Sequence, residues 1–143
     1  MDYIIYTDGA CSGNPGSGGW AAIITYDNQY IEIYGKEPYT TNNKMELKAV
    51  IEALKTTPRG TNIKIYSDSA YVVNAFLKRW IFNWINNNWK TADNKPVANK
   101  EMWLELFNLV CDRYVSFFKV SGHADDDLNN RCDAIARAQC ACN

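Results

Sequence analysis

Histidine is almost absent from this chain, with His123 the single example among 143 residues. The five cysteines (Cys11, Cys111, Cys132, Cys140 and Cys142) are an odd number and contain no C-x-x-C spacing. Together these absences argue against a zinc site or a disulfide framework and favour reduced thiols packed as small apolar residues, although Cys140 and Cys142 are near enough in sequence to oxidise. No sustained apolar run, low-complexity tract, internal repeat or Pro/Gly/Ser-rich spacer is present. The expectation is therefore one cytoplasmic domain over residues 1–143, with no membrane span or signal segment. A charge excess is missing too, since 15 basic residues face 16 acidic ones. That balance excludes a protein that coats nucleic acid through bulk charge alone.

One region departs from the balance. Between Lys78 and Lys100 lie Lys78, Arg79, Lys90, Lys95 and Lys100 against one acid, Asp93, interleaved with Trp80, Trp84 and Trp89. A basic and aromatic patch on a neutral body suits a specific docking surface for nucleic acid.

The stretch YIIYTDGACSGNPGSGGW, residues 3–20, runs an apolar segment into Asp8 and then into glycines. Gly16 to Ala21 satisfies the loose G-x-G-x-x-G/A dinucleotide pattern, but that reading requires a helix to open on the glycines. The residues that follow are β-branched and aromatic and break at Asp27-Asn28, which predicts a hairpin. No Gly-Lys-Ser/Thr follows, so a phosphate-binding P-loop is excluded as well. Asp8 is left at the end of a strand in an open turn.

Strands are predicted over 2–8, 19–27 and 30–36 as an antiparallel meander, with further strands over 62–68 and 114–122. Helices are predicted over 42–57, where Leu47, Val50, Ile51 and Leu54 recur at helical spacing, over 69–87 with a break near Lys78 to Ile81, over 100–112 and over 125–141. This order fits an α/β fold, a mixed five-stranded sheet with helices on both faces. A right-handed crossover from the meander gives strand order 3-2-1-4-5. The chain then leaves strand 1 in one direction and strand 4 in the other, opening a crevice at the carboxyl ends that carry Asp8 and Asp68.

Two carboxylates at one crevice suit an oxygen-loving cation, Mg²⁺ or Mn²⁺. Each also has a plain alternative, Asp8 as the start of a turn and Asp68 as a helix cap. Glu46 lies beside the apolar stripe of its helix and needs a partner there, or closes a capping box on Asn43. Glu52, by contrast, falls with Lys48 and Lys55 on a solvated face. Asp133 precedes Arg137 by one turn, which suits an exposed ion pair. His123 falls in a loop, where a group titrating near neutrality could move protons beside a metal site.

The segments YTDGACSGNPGSGGWAA, TTNNKMELKAVIEAL, YSDSAYVVNA, WKTADNKPVANKEMW and VSGHADDDLNNRCDAIARAQ resemble, in order and spacing, the successive motifs of the type 1 ribonuclease H family in its compact bacterial form. The resemblance covers essentially the whole chain. It implies a ribonuclease H-like fold and an endonuclease that hydrolyses the RNA strand of RNA/DNA hybrids, leaving 5′-phosphate and 3′-hydroxyl ends. It implies that Asp8, Glu46, Asp68 and Asp133 hold two catalytic Mg²⁺ ions, with Mn²⁺ a possible substitute, and that His123 assists proton transfer or product release. Backbone groups from Cys11 to Asn14, with Glu46, would read 2′-hydroxyls, the glycines allowing close approach to the sugar edge. Asn14, Asn42 and Asn43 would meet bases or the DNA strand in the minor groove, Thr41 and Asn99 a DNA phosphate, and Trp80 and Trp84 the DNA channel. Trp84 should be more exposed than Ile81 if it lines that channel rather than the core. No obligate protein partner is implied, and a monomer is expected.

The departures from the family pattern avoid the four carboxylates. Tyr39 replaces a frequent arginine, Ala70 a glutamine and Ser121 a lysine. Asn86, Asn87 and Asn88 stand where basic residues are common, and Asp125, Asp126 and Asp127 make the histidine loop acidic. These changes predict ordinary chemistry with weaker, salt-sensitive hybrid binding.

Overall fold

In the computed structural model, which describes residues 2–120 and 127–141, a meander of β1 (Tyr3–Gly13), β2 (Gly16–Tyr26) and β3 (Gln29–Thr40) leads into α1 (Asn42–Lys55). Then follow β4 (Asn62–Ser67), α2 (Ala70–Leu77), α3 (Trp80–Asn86), α4 (Lys100–Cys111), β5 (Tyr114–Lys119) and α5 (Asp127–Ala141). The sheet order is β3-β2-β1-β4-β5, with β4 parallel to both β1 and β5. The α/β architecture and the strand order are those the sequence predicts.

α1 forms because its apolar positions recur at helical spacing and Thr41 caps it, the hydroxyl accepting from Lys44 N at 3.2 Å. Its buried side chains Leu47, Val50, Ile51 and Leu54 pack with Ile5, Ile63 and Ile65 of the sheet and with Trp103 and Leu106 of α4. Each such aliphatic side chain stabilises the fold by roughly 2 kcal/mol when removed from water. On the opposite face α5 brings Cys132, Ile135 and Ala136 against Ala21 and Ile23. Cys132 and Cys140 are buried and Cys111 exposed, all as free thiols. Among the described residues no helix is long and apolar enough to cross a membrane.

Three local expectations are corrected. β1 and β2 extend well past the apolar alternation, through Cys11↔Gly18 to Gly13↔Gly16, so Asp8 sits inside β1 rather than at its end. The supposed open turn is a two-stranded ribbon that reverses at Asn14-Pro15. Ladder hydrogen bonds need no apolar side chains, which is why alternation understates the strands. Pairing of β1 with β4 does stop at Thr7↔Ser67, so the crevice still opens beside Asp8 and Asp68. Of the two readings of Glu46 the capping box on Asn43 is absent, because Thr41 is the cap and Glu46 falls too far along the helix to close on it. Asp68 does not cap α2, since Ser69 does, its hydroxyl accepting from Val72 N at 3.3 Å. The expected break near Lys78 separates α2 from α3, with Arg79 left-handed at φ 61°.

Candidate carboxylate centre and nucleic-acid surface

Asp8 from β1, Glu46 from α1 and Asp68 from the end of β4 bring ligand oxygens within 4.8 Å of one another. Asp8 and Glu46 are only 4% and 5% exposed. Two glycines make this convergence possible. A Cβ on Gly9 would lie 2.5 Å from the Glu46 nitrogen and 2.6 Å from the Met45 carbonyl carbon, so α1 can press Glu46 against β1 only where that strand has no side chain. A Cβ on Gly19 would lie 2.5 Å from the Ala136 oxygen, which is how closely α5 approaches β2. The glycine-rich opening therefore serves helix packing as well as the close approach to a ligand expected of it.

Burial, and then the charge of Asp68, raise the Asp8 carboxyl to about 8. Glu46 is pushed well above the usual carboxylate range by burial, then by Asp8 and Asp68, partly offset by the Gly9 N–H. Asp68 is raised by burial and then by Asp133, with the Lys119 ammonium opposing. The Cys132 thiol is pushed up by its burial and by the acids around it. Asp8 Oδ2 and Glu46 Oε1 are buried without a hydrogen-bond partner. Orphaned carboxyl oxygens converging on one point fit a divalent cation, whose charge would hold them ionised.

Asp133 lies outside the triad. It makes the ion pair its spacing predicts, with Arg137 Nε 3.1 Å away, while also acting on Asp8 and Asp68. Glu52 pairs with Lys48 and Lys55, as expected. His123, with Ser121, Asp125, Asp126 and Cys142, lies outside the described residues.

Cys11, Asn42 and Asp133 line one open groove of about 390 Å³ together with Gly9, Ala10, Ser12, Arg137 and Cys140. Asn14 Oδ1 accepts from Asn42 N at 3.0 Å, tying the ribbon tip to the start of α1, whose Asn43 side chain is exposed. The Thr41 hydroxyl serves the α1 cap. Asn99 donates to Tyr71 Oη at 3.0 Å, a hydroxyl that Trp103 Nε1 also reaches at 3.0 Å. Trp80 is exposed under Lys78. Trp84 is half-buried against Trp89 and Trp103 while Ile81 is fully buried, the ordering the sequence predicts. The sequence reading missed Gly9 and Gly19 as positioning residues, and also a stack of Tyr6, Tyr66 and Phe118 beside the acids. A tyrosine two residues before each strand acid, Tyr6 before Asp8 and Tyr66 before Asp68, signalled that stack, but the pairing depends on strand register.

A mixed sheet of order 3-2-1-4-5 with acids converging where β1 and β4 part defines an α/β protein with a candidate metal centre at its switch point. Residues 1–141 match the RNase H family, and the chain belongs to it. The chain is 53% identical over 135 residues to a ribonuclease H of Thermoanaerobacter sp. (strain X514), spanning 94% of this chain and 87% of that protein. It is 49% identical over 140 residues to one of Symbiobacterium thermophilum, covering 98% and 95%. Among solved structures it resembles LC9-RNase H1, described as a type 1 RNase H with the type 2 active-site motif, at a TM-score of 0.85 and 27% identity over 98% of this chain and 72% of that one. LC11-RNase H1, solved in complex with an RNA/DNA hybrid, shares the fold at a TM-score of 0.70 and 22% identity, covering 97% and 96%.

Proposed function

We propose that this protein is an endonuclease hydrolysing the RNA strand of RNA/DNA hybrids and leaving 5′-phosphate and 3′-hydroxyl ends. The observation that carries this reading is the triad of Asp8, Glu46 and Asp68, with its partnerless buried oxygens, in a chain of the ribonuclease H family. Those three residues, together with Asp133, which acts on Asp8 and Asp68, would hold the metal. Two divalent cations, Mg²⁺ by preference for an all-oxygen set and Mn²⁺ as substitute, would activate the attacking water and stabilise the leaving 3′ oxygen.

The chain's own groups bind and orient the duplex. The backbone from Cys11 to Asn14, beside Glu46, would recognise the 2′-hydroxyls that distinguish RNA from DNA. Asn14, held by Asn42, would enter the minor groove with Asn42 and Asn43. Thr41 and Asn99 would contact a DNA phosphate, while Trp80 and Trp84 would border the DNA strand next to Lys78. His123 would carry a proton to or from the reacting phosphate or help product leave. The protein would act as a cytoplasmic monomer.

Incubation of a labelled hybrid, duplex DNA and duplex RNA with and without Mg²⁺ tests the proposal. Cleavage of the hybrid's RNA strand alone, abolished by a chelator, is the expected result. Equal cutting of duplex DNA, or activity that survives chelation, would overturn it.

A further inference from the structure

Beside the carboxylate centre, three aromatic rings from three strands form one stack. Tyr6 of β1 lies on Tyr66 of β4 with ring centroids 5.1 Å apart and planes at 17°, and Tyr66 lies on Phe118 of β5 at 5.0 Å and 18°. The rings repeat at the spacing of the strands that carry them. Tyr6 precedes Asp8 by two residues, so strand alternation puts both on one face of β1, about 7 Å apart, and Tyr66 lies two residues before Asp68, which directly follows β4.

The two ends of the stack differ. α5 packs over β1, β2 and β3, and Tyr6 joins the cluster beneath it. Phe118 stands on the outermost strand, 39% exposed, and among the described aromatic contacts no ring continues the stack beyond it. Along the same face of β5 come exposed Ser116 and Tyr114, the latter 71% exposed. Both border an open hollow of about 450 Å³ shared with Asn62 and Lys64. Lys119 follows Phe118 and lies close enough to Asp68 to act on its carboxylate. Lys119 alternates to the opposite face of β5, whereas Lys64, opposite Ser116, is a cation on the face of Phe118, paired with Asp2 at 3.6 Å.

We propose that this face of β4 and β5 is a landing platform for an unpaired extension of the RNA strand, whose bases stack on the open side of Phe118 and continue toward Tyr114. The inference rests on the hydrolytic reading above, because the strand being cut must bring its phosphate to Asp8, on the ladder's strand β1, and to Asp68, directly after its strand β4. A strand leaving that point across β4 meets Phe118 first. Every base offers a π face, so such stacking is independent of sequence, and Lys64, opposite Ser116 in the strand register and so on the same face, supplies positive charge for a phosphate backbone. From Phe118 to Tyr114 the strand runs about 13 Å, room for about two nucleotides. The other strand of the duplex carries no phosphate to the carboxylates, so an extension of the DNA strand gains nothing here.

The test compares one duplex in three forms: flush, with about three unpaired nucleotides on either end of the RNA strand, and with the same extension on the DNA strand. An RNA extension at one end should lower KM about tenfold with kcat unchanged, and a DNA extension should not. Phe118→Ala should abolish the gain, Phe118→Trp restore it and Tyr114→Ala reduce it, all with flush-duplex cleavage preserved. Equal KM for flush and RNA-extended duplexes, the same gain from a DNA extension, or a gain that persists in Phe118→Ala would overturn the proposal. Should the flush hybrid not be cleaved at all, the hydrolytic reading fails instead. Fluorescence binding of flush and RNA-extended hybrids then decides the platform by the same comparison.

Discussion

The carboxylate centre and the segment from Lys78 to Lys100 are built in opposite ways. Each acid of the centre arrives on its own element, and the elements are held in place by core packing and by glycines that let helices come close. In the basic and aromatic segment, bonds between neighbours in sequence shape the turns, while Ile81, Trp84 and Val97 anchor it to the core. Asn87 Nδ2 donates to Lys90 O at 2.9 Å and Thr91 O at 3.2 Å, and Val97 N donates to Trp89 O at 3.1 Å. Asn88, Trp89, Asn94 and Asn99 all have positive φ, a conformation that asparagine tolerates better than most residues. Of the asparagines that looked like lost charge, Asn87 and Asn88 are therefore also turn-formers, while Asn86 ends α3. Substitution in the centre should act through charge, and substitution in the segment through backbone geometry.

The largest effect expected from breaking this contrast is on catalysis. Asp8→Asn or Asp68→Asn should lower hybrid cleavage on the order of a thousandfold, as expected when one charge-stabilising group at a reacting centre is lost. Their melting temperatures in chelator should hold or rise, since the cost of protonating or crowding a buried carboxyl is gone. A fall of several degrees would mean that these residues stabilise the fold rather than serve the site.

Next is Gly9→Ala, which leaves every acid in place. The new Cβ must displace the α1 backbone at Met45 and Glu46, costing about 2 kcal/mol or more on denaturant titration and weakening cleavage together with stability. Unchanged stability would show that α1 does not rest on β1 as described.

The pH dependence of the metal-free protein sharpens the electrostatic half. Asp8 titrates near 3.8 when unperturbed and about 8 in the fold, so between these values the folded state binds more protons than the unfolded one. Stability should consequently fall as pH rises from about 4 to about 8, by several degrees of melting temperature. Glu46 adds to the fall in the same direction. Saturating Mg²⁺ should suppress it and Asp8→Asn should flatten it. A chelated wild type whose melting temperature is level across this range would contradict the crowding of the acids.

The smallest effect is expected on the segment's surface. Asn86→Lys should steepen the salt dependence of log affinity by about 0.9 if the lysine meets a phosphate, with turnover at saturating hybrid unchanged. Asn87→Ala should instead loosen the turn that Asn87 closes, at about 1 kcal/mol of local stability. Equal binding and equal stability in both variants would erase the distinction between the two regions.

Glu46 shows how far a linear reading reached into the site. Its place beside the apolar stripe pointed it inward while Glu52 pointed out, and both are where periodicity put them. Asp8 and Asp68 could be placed at one crevice because the crossover rule fixes which strand lands beside β1. The length of β1 was not legible, since the glycines and small residues after Asp8 have no alternation to count. Asp133 offered only its pairing with Arg137, and both the ion pair and the action on Asp8 are present together.

Element order, the inward face of α1 and the meeting of Asp8 and Asp68 at one crevice follow from the sequence by itself, because periodicity and chain handedness are local or nearly local constraints. The tertiary structure alone decided that the acid on α1 meets two acids within 4.8 Å, that Gly9 and Gly19 set the distances of the flanking helices, and that Tyr6, Tyr66 and Phe118 stack. Each of these depends on register and close packing between residues far apart in the chain. A one-residue slip of a strand would turn every such side chain to the other face while leaving its own alternation intact.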